Sequence, residues 1–313
     1  MAGHRPGGPV TAPGDPRQWR IGLIGYGEVG RILAEDLRAA GIAHVAACDV
    51  KLGTAADRPL RDHAARHGVE LIASHAALAG GADLVVSAVT ASQTVPAAEA
   101  CAPGVGRGTW FLDFNSASPG AKQRAAAAID GAGGAYVEAA VMTSVPPYRI
   151  RVPLLLGGAR AAELLPLLTA LGFCAQLASD RLGVASATKM CRSVMIKGLE
   201  AMVIEAFTAA RAYGVEADVL ASLAETFPGI DWERQAGYFF QRVVQHGRRR
   251  AEEMCEAAET VREIGLAPWS AAATAERQAW VADLVERGEL GGGAAADDDW
   301  RAYADRILRR RGG

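Results

Sequence analysis

One segment constrains the fold of this chain more than any other: residues 21–30, where an apolar run leads directly into the spacing GxGxxG. The run predicts a β-strand over residues 21–24, and apolar residues recurring on one face predict a helix over residues 28–40. A strand that turns tightly into a helix through glycines is an arrangement that binds the pyrophosphate of a dinucleotide. The chain contains 36 glycines, so the spacing is informative because of this context and not by itself.

Each glycine of the turn has its own physical role. Gly25 permits the tight turn, Gly27 lets a pyrophosphate approach the main chain, and Gly30 lets the helix pack closely on the strand. The amide groups at the helix N-terminus face the phosphates. The residues expected to contact the cofactor here are Gly25, Tyr26, Gly27, Glu28, Val29 and Gly30.

The residue after the second predicted strand bears on the choice of dinucleotide. Asp49 follows Gly30 by about 20 residues, where an acid accepts hydrogen bonds from the ribose hydroxyls and repels a 2′-phosphate. We therefore expect NAD. NADP is the alternative cofactor, because Lys51 offsets part of that repulsion, and an ordinary acid in a turn is the alternative interpretation of Asp49.

The chain as a whole predicts an α/β fold in two domains. Apolar runs alternate with alanine-rich helical stretches, which indicates a Rossmann domain over residues 19–180 after a disordered lead-in over residues 1–18. The expected strands are residues 21–24, 44–48, 84–89, 109–114, 136–141 and 152–156. Residues 181–313 are predicted to form an all-helical substrate and dimerisation domain built on one long central helix over residues 182–213. Apolar residues occupy nearly every face of that helix, which favours a homodimer.

Composition excludes several classes of partner. The formal net charge is -2, so no strong field attracts nucleic acid or an anionic membrane, and no apolar run is long enough to span a bilayer. Five scattered cysteines without a CxxC spacing suggest neither disulfides nor a zinc site. We expect a cytoplasmic protein that binds no metal.

Four separated segments resemble the β-hydroxyacid dehydrogenase family, which includes 6-phosphogluconate dehydrogenase, and within it a less characterised subgroup. In chain order they read IGLIGYGEVG at residues 21–30, LDFNSASP at 112–119, VEAAVM at 137–142 and ATKMCRS at 187–193. The resemblance implies an NAD(P)-dependent oxidoreductase that acts on a small anionic substrate, such as a β-hydroxyacid or a sugar acid.

The resemblance places the general acid/base at Lys189. The family usually carries asparagine or histidine and then asparagine three and four residues later, whereas this chain has Arg192 and Ser193, which we expect at the substrate. Desolvation and the charge of Arg192 would lower the pKa of Lys189 towards values suited to proton transfer. A lysine in a structural ion pair is the alternative interpretation.

The remaining candidate residues lie in loops and on a later helix. Asn115 and Ser116 match the family position beside nicotinamide and substrate, although Asn-Ser is also ordinary turn chemistry, and Val89 and Thr90 are expected along the cofactor. The family's substrate loop carries a serine and two glycines. Here the loop lacks those glycines and offers Met142, Thr143 and Ser144 for substrate binding. On a later predicted helix, His246 and Arg249 either contact the substrate or belong to a run of solvent-exposed charges.

Lys189 distinguishes the candidate functions. The leading hypothesis is oxidation of a small hydroxyacid, or reduction of the corresponding keto acid, with Lys189 as acid/base. If the oxidised carbon is β to a carboxylate, decarboxylation of the product can follow. Imine reductases on this fold generally lack the lysine, and a non-catalytic dinucleotide-binding redox sensor would not need it.

Overall fold

The computed structural model describes residues 14–290 and 299–309. The chain divides into two compact units, and the division falls after Lys189, inside the long helix and nine residues after the predicted boundary at residue 180. Most of the predicted lead-in lies outside the described residues. Its described end is ordered, because Pro16–Gln18 form a 3-10 turn whose Arg17 N–H donates to Asp15 Oδ1 at 2.9 Å.

The first unit is built on a sheet of eight strands in the order β3-β2-β1-β4-β5-β6-β7-β8. All neighbouring strands are parallel except the antiparallel pair β6 and β7. The strands are β1 Arg20–Ile24, β2 His44–Cys48, β3 Glu70–Leu71, β4 Leu84–Ser87, β5 Trp110–Asp113, β6 Ala135–Val141, β7 Pro153–Gly157 and β8 Cys174–Ser179. The six predicted strands are present. β3 and β8 were not predicted from the sequence. β3 has only two residues, and β8 is largely exposed, with little alternation of buried and exposed side chains.

Helices cover both faces of this sheet, and an apolar core lies under each face. They are α1 Glu28–Ala39, α2 Arg58–His67, α3 His75–Gly80, α4 Thr94–Cys101, α5 Pro119–Gly131, α6 Val145–Tyr148 and α7 Ala161–Ala170. The predicted Rossmann architecture of the first unit is confirmed.

Helices make up the described part of the second unit. After α8, Val184–Tyr213, they are α9 Glu216–Thr226, α10 Trp232–Glu263, α11 Trp269–Glu286 and α12 Trp300–Leu308. The sequence predicted one long helix, whereas α10 is the longer of two, with 32 residues against 30. The many charged residues of α10 interrupt its apolar pattern, so its full length was not predicted from the sequence. Among the described residues, no helix has the length and apolar character that crossing a membrane requires.

Candidate functional site

The predicted cofactor residues meet at the carboxyl edge of the sheet. β1 pairs with β2 on one side and with β4 on the other, so the strand order reverses at β1. Ligands of open α/β sheets bind outside the carboxyl ends of the strands at such a reversal. Gly25 lies at this point, where its N–H donates to the Cys48 carbonyl at 2.9 Å.

The three glycines of the turn differ in what requires them. Gly25 has φ +88°, and a Cβ there would lie 2.4 Å from the Ala88 carbonyl oxygen; a Cβ on Gly30 would lie 2.1 Å from the Gly25 carbonyl oxygen. A Cβ on Gly27 would meet nothing within 4 Å. The protein itself therefore requires Gly25 and Gly30, while Gly27 keeps open space before the N-terminus of α1. That space fits the pyrophosphate of a dinucleotide.

Tyr26 lies in the turn, but its side chain is used inside the protein. Its side chain is buried, and its hydroxyl lies 2.8 Å from His63 Nδ1, so the phenol cannot reach a cofactor at the turn. Burial raises the pKa of Tyr26 to about 12, so the hydroxyl stays neutral. Only the main chain of this residue can face the phosphates. Of the other turn residues, Glu28 is exposed and Val29 is half-buried.

Asp49 is held where a ribose-binding acid is expected. Its Oδ2 accepts from the Tyr26 N–H at 2.8 Å, and its Oδ1 accepts from the Lys51 N–H at 2.9 Å. Each carboxylate oxygen can accept a further hydrogen bond, so Asp49 can fix the turn and still receive ribose hydroxyls. The side chain of Lys51 is exposed.

Asn115 makes two internal hydrogen bonds, and its contact with nicotinamide or substrate stays a prediction. Its Oδ1 accepts from the Val89 N–H at 2.7 Å, and its Nδ2 donates to Ser87 Oγ at 3.0 Å. The residue is 3% exposed. Asn115 therefore joins the ends of β4 and β5, and it places half-buried Val89 and exposed Thr90 at the edge of the sheet.

A buried ionic cluster beneath Asn115 was missed by sequence reasoning. Asp113 Oδ1 lies 2.8 Å from Lys122 Nζ and accepts from the Asn115 N–H at 2.8 Å, while Tyr136 donates its hydroxyl to Asp113 Oδ2 at 2.5 Å. Burial, with the charge of Asp113 beside it, raises the pKa of the Tyr136 phenol. The aspartate at the end of a strand was visible in the sequence, but its partners come from two other elements.

Lys189 and Ser116, both predicted from the family resemblance, are brought together. Lys189 Nζ donates to Ser116 Oγ at 2.5 Å, and both residues are partly exposed. Ser116 follows β5 at the carboxyl edge of the sheet, and Lys189 lies near the beginning of α8. The pair combines a group that can carry a proton with a hydroxyl that can both donate and accept.

A buried carboxylate holds the beginning of α8. Glu138 Oε1 accepts from the N–H groups of Gly183 at 2.7 Å and Ala185 at 3.1 Å, and Oε2 accepts from Ser186 at 3.3 Å. Glu138 belongs to the segment VEAAVM of the family resemblance, where the sequence alone assigns it no function. Its function as a helix cap depends on contacts 45 to 48 residues away.

The predicted substrate loop is attached to α1. Met142 donates its N–H to the Pro153 carbonyl at 3.0 Å, Thr143 is exposed, and Ser144 precedes α6. Farther along, the Arg149 guanidinium contacts Glu35 and Asp36 at 2.7 Å each, although Arg149 has φ +55°. The strained backbone is therefore held by two ion pairs.

The other predicted substrate residues belong to the second unit. There, Arg192 is exposed, Ser193 is buried and His246 is half-buried. The basic run that follows His246 pairs internally: Arg248 contacts Asp283 at 2.5 Å, Arg249 contacts Glu253 at 3.1 Å, and Arg250 contacts Glu200. These pairs describe a salt-bridged helix, so substrate contact by His246 and Arg249 stays a prediction.

One group among the described residues has the composition of a metal site. Ligand atoms of Glu35, His63 and His67 lie within 4.8 Å of one another. Glu35 already accepts from His63 Nε2 at 2.8 Å and from Arg149 at 2.7 Å, and hydrogen bonding to these two groups lowers the pKa of Glu35. The expectation of no metal stays a prediction. His63 is buried, with 5% of its surface exposed.

Two family descriptions match the chain. Residues 20–178 match the NAD binding domain of 6-phosphogluconate dehydrogenase, and residues 210–281 match a domain of unknown function, DUF1932. The first match covers the sheet with its glycine turn.

Several known proteins are similar over most of the chain. A conserved hypothetical protein from Sinorhizobium meliloti 1021 is 39% identical, with a TM-score of 0.74 and coverage of 93% of this chain and 96% of that one. A conserved protein described as structurally similar to 3-hydroxyacid dehydrogenases is 30% identical, with a TM-score of 0.65 and coverage of 86% and 99%. Mitochondrial 3-hydroxyisobutyrate dehydrogenase of Drosophila melanogaster is 26% identical over 68% of this chain and 64% of its own.

A reductive aminase from Aspergillus terreus shares the fold. Its TM-score is 0.52 at 19% identity, with coverage of 93% of this chain and 99% of that one.

Proposed function

Because the chain belongs to the β-hydroxyacid dehydrogenase-like family and contains its NAD(P)-binding domain, we propose that it transfers hydride between NAD(P) and a small hydroxyacid, with Lys189 as general acid/base. The observation that carries the proposal is the 2.5 Å contact of Lys189 Nζ with Ser116 Oγ, which follows β5 at the carboxyl edge of the NAD-binding sheet. Such a constellation suits the acid/base work of an alcohol oxidation.

The reaction balances with one proton and one hydride. Neutral Lys189 takes the proton from the substrate hydroxyl while hydride leaves the same carbon, so the alcohol becomes a carbonyl; the ammonium returns the proton in the reverse direction. Ser116 orients the substrate oxygen through its hydroxyl. The bound dinucleotide supplies the hydride acceptor. If the product is a β-keto acid, loss of carbon dioxide leaves an enolate that the Lys189 ammonium can protonate.

NAD is the proposed cofactor in preference to NADP. Asp49 lies at the end of β2 with both carboxylate oxygens fixed by main-chain N–H groups, so it cannot easily turn away from a 2′-phosphate. The anion would repel that phosphate and bind ribose hydroxyls instead. Titration of the protein with NADH and NADPH measures this preference.

The test of the proposal follows absorbance at 340 nm with NAD, NADP and a panel of small hydroxyacids and sugar acids. Lys189→Ala should bind dinucleotide as the wild type does and lose activity by about 10²- to 10⁴-fold, the usual contribution of acid/base catalysis. Thr188→Ala is the matched control, because Thr188 is an exposed neighbour that donates to the Val184 carbonyl on the same helix. Equal turnover by wild type and Lys189→Ala would remove the lysine from the chemistry.

Imine reduction is the alternative that the fold of the reductive aminase favours. The retained Lys189 argues for hydroxyacid oxidation. Turnover with a ketone and an amine, together with none on any acid of the panel, would favour the alternative. Tight dinucleotide binding without turnover on either panel would favour a redox sensor.

A further inference from the structure

Glu138 lies on β6 in the interior of the first unit and is 0% exposed. A carboxylate removed from water requires compensating hydrogen bonds. It obtains them from three main-chain N–H groups at the beginning of α8, those of Gly183, Ala185 and Ser186. These groups form the positive end of the helix, so the negative charge is stabilised there and in turn holds the first turn in place.

The neighbouring strand leaves room for this carboxylate. Glu138 is in register with Gly157 on β7, and a Cβ on Gly157 would lie 2.3 Å from Glu138 Oε1 and 3.0 Å from Cγ and Cδ. The φ of Gly157 is not positive, so the backbone conformation does not require glycine. The glycine is therefore needed because of the space that Glu138 occupies.

The first turn of α8 determines where the Lys189 ammonium lies. Lys189 is one turn after Ala185 and thus on the same face, and helical side chains lean towards the helix N-terminus. Its Nζ donates to Ser116 Oγ at 2.5 Å, a contact that a shift of the turn would break.

We propose that Glu138 is a positioning residue for Lys189: its carboxylate fixes the first turn of α8, and its negative charge favours the ammonium form of the lysine. This inference rests on the proposed acid/base function of Lys189. The positive end of the helix disfavours an ammonium, and an adjacent anion offsets that effect. Other charged groups on these elements are Asp113, which is paired with Lys122, and Arg192, three residues after Lys189 on α8.

The test measures the titration of Lys189 directly in the full chain. Acetylation by acetic anhydride over a range of pH, quantified by mass spectrometry of the peptide that contains Lys189, gives the pKa of the amine without any substrate. In Glu138→Gln, which removes the charge, the pKa of Lys189 should fall by about 0.5 to 1 unit. Glu163→Gln is the matched control, because Glu163 is an acid of the same unit paired with Arg160, and it should leave the value unchanged.

A second variant protects the test against misfolding. Gly157→Ala retains Glu138 but places a methyl group where its carboxylate lies, so the carboxylate is displaced. The pKa of Lys189 should therefore fall, as in Glu138→Gln. Circular dichroism and dinucleotide binding identify the folded variants. An unchanged titration of Lys189 in a folded Glu138→Gln, or in a folded Gly157→Ala if the first variant does not fold, overturns the inference.

Turnover separates this inference from the proposed function. On an acid that the wild type oxidises, Glu138→Gln should lower kcat more than it changes KM, because it displaces the reacting group. Full activity of Lys189→Ala would refute the proposed function. Loss of activity in Lys189→Ala, with wild-type kcat and titration in Glu138→Gln, would refute only the positioning by Glu138.

Discussion

At the scale of single residues, the carboxyl edge of the sheet depends on side chains that form hydrogen bonds and ion pairs inside the protein. Asn115 joins two strand ends through its amide, and Asp113 beneath it is neutralised by Lys122. Removing one partner of a buried ion pair leaves an uncompensated charge, which costs more than the pair contributes. Residues that hold the edge of the sheet together can therefore determine whether the cofactor site forms.

We expect Lys122→Met to lower the free energy of unfolding by about 3–5 kcal/mol, because it leaves Asp113 buried without its cation. Urea denaturation measures the loss. The double variant Asp113→Asn with Lys122→Met should be more stable than Lys122→Met alone, since the buried charge is gone. A loss below about 1 kcal/mol in the single variant would contradict the importance of this pair.

The glycines of the turn lead to a second prediction. Gly25→Ala should destabilise the protein by about 1–3 kcal/mol, because of its positive φ and the contact with the Ala88 carbonyl. Gly27→Ala should leave the melting temperature unchanged and weaken dinucleotide binding, because its methyl group meets only the space before the helix. Calorimetric unfolding and binding of NADH test both variants, and unchanged NADH binding by Gly27→Ala would argue against a pyrophosphate in this position.

At the scale of elements, the substrate loop is held to the cofactor helix by charge. The Arg149 guanidinium contacts Glu35 and Asp36, and the Ile150 N–H donates to Asp36 Oδ2 at 2.9 Å. α1 therefore supports both the phosphate turn at its beginning and the loop that follows β6. The sequence predicted a substrate loop without the family's two glycines, but not the residues of α1 to which it is attached.

Two variants separate the strain at Arg149 from its ion pairs. Both Arg149→Gly and Arg149→Ala lose the pairs, but glycine tolerates φ +55° and alanine does not. Arg149→Ala should therefore be less stable than Arg149→Gly by about 1 kcal/mol, reversing the usual order of these residues. Urea denaturation of both variants measures the difference, and greater stability of the alanine variant would show that the backbone is unstrained.

At the scale of the whole molecule, the second unit carries an apolar helix face that bears on assembly. Met195, Leu199 and Met202 recur at the spacing of one helix face, and the two methionines are 74% and 61% exposed. Exposed apolar side chains grouped in this way are typical of protein interfaces. They support the proposed homodimer through this unit.

Light scattering after size exclusion tests that proposal. The wild type should have the mass of two chains, and Met202→Glu should shift the equilibrium towards one chain, because a carboxylate would be buried at the interface. Thr226→Glu, an exposed position on α9 of the same unit, is the control with the same new charge. A wild type with the mass of one chain would refute the homodimer.

Local patterns in the sequence were enough for six of the eight strands, the glycine turn and the helical second half, because apolar periodicity and glycine placement act over a few residues. Only the tertiary structure decided which side chains meet. It turned Tyr26 and His63 inwards, bound the Asn115 amide to the Val89 N–H and the Ser87 hydroxyl, and brought Lys189 to Ser116, 73 residues away. Such contacts depend on how distant strands and helices are packed, and no short stretch of sequence records that arrangement.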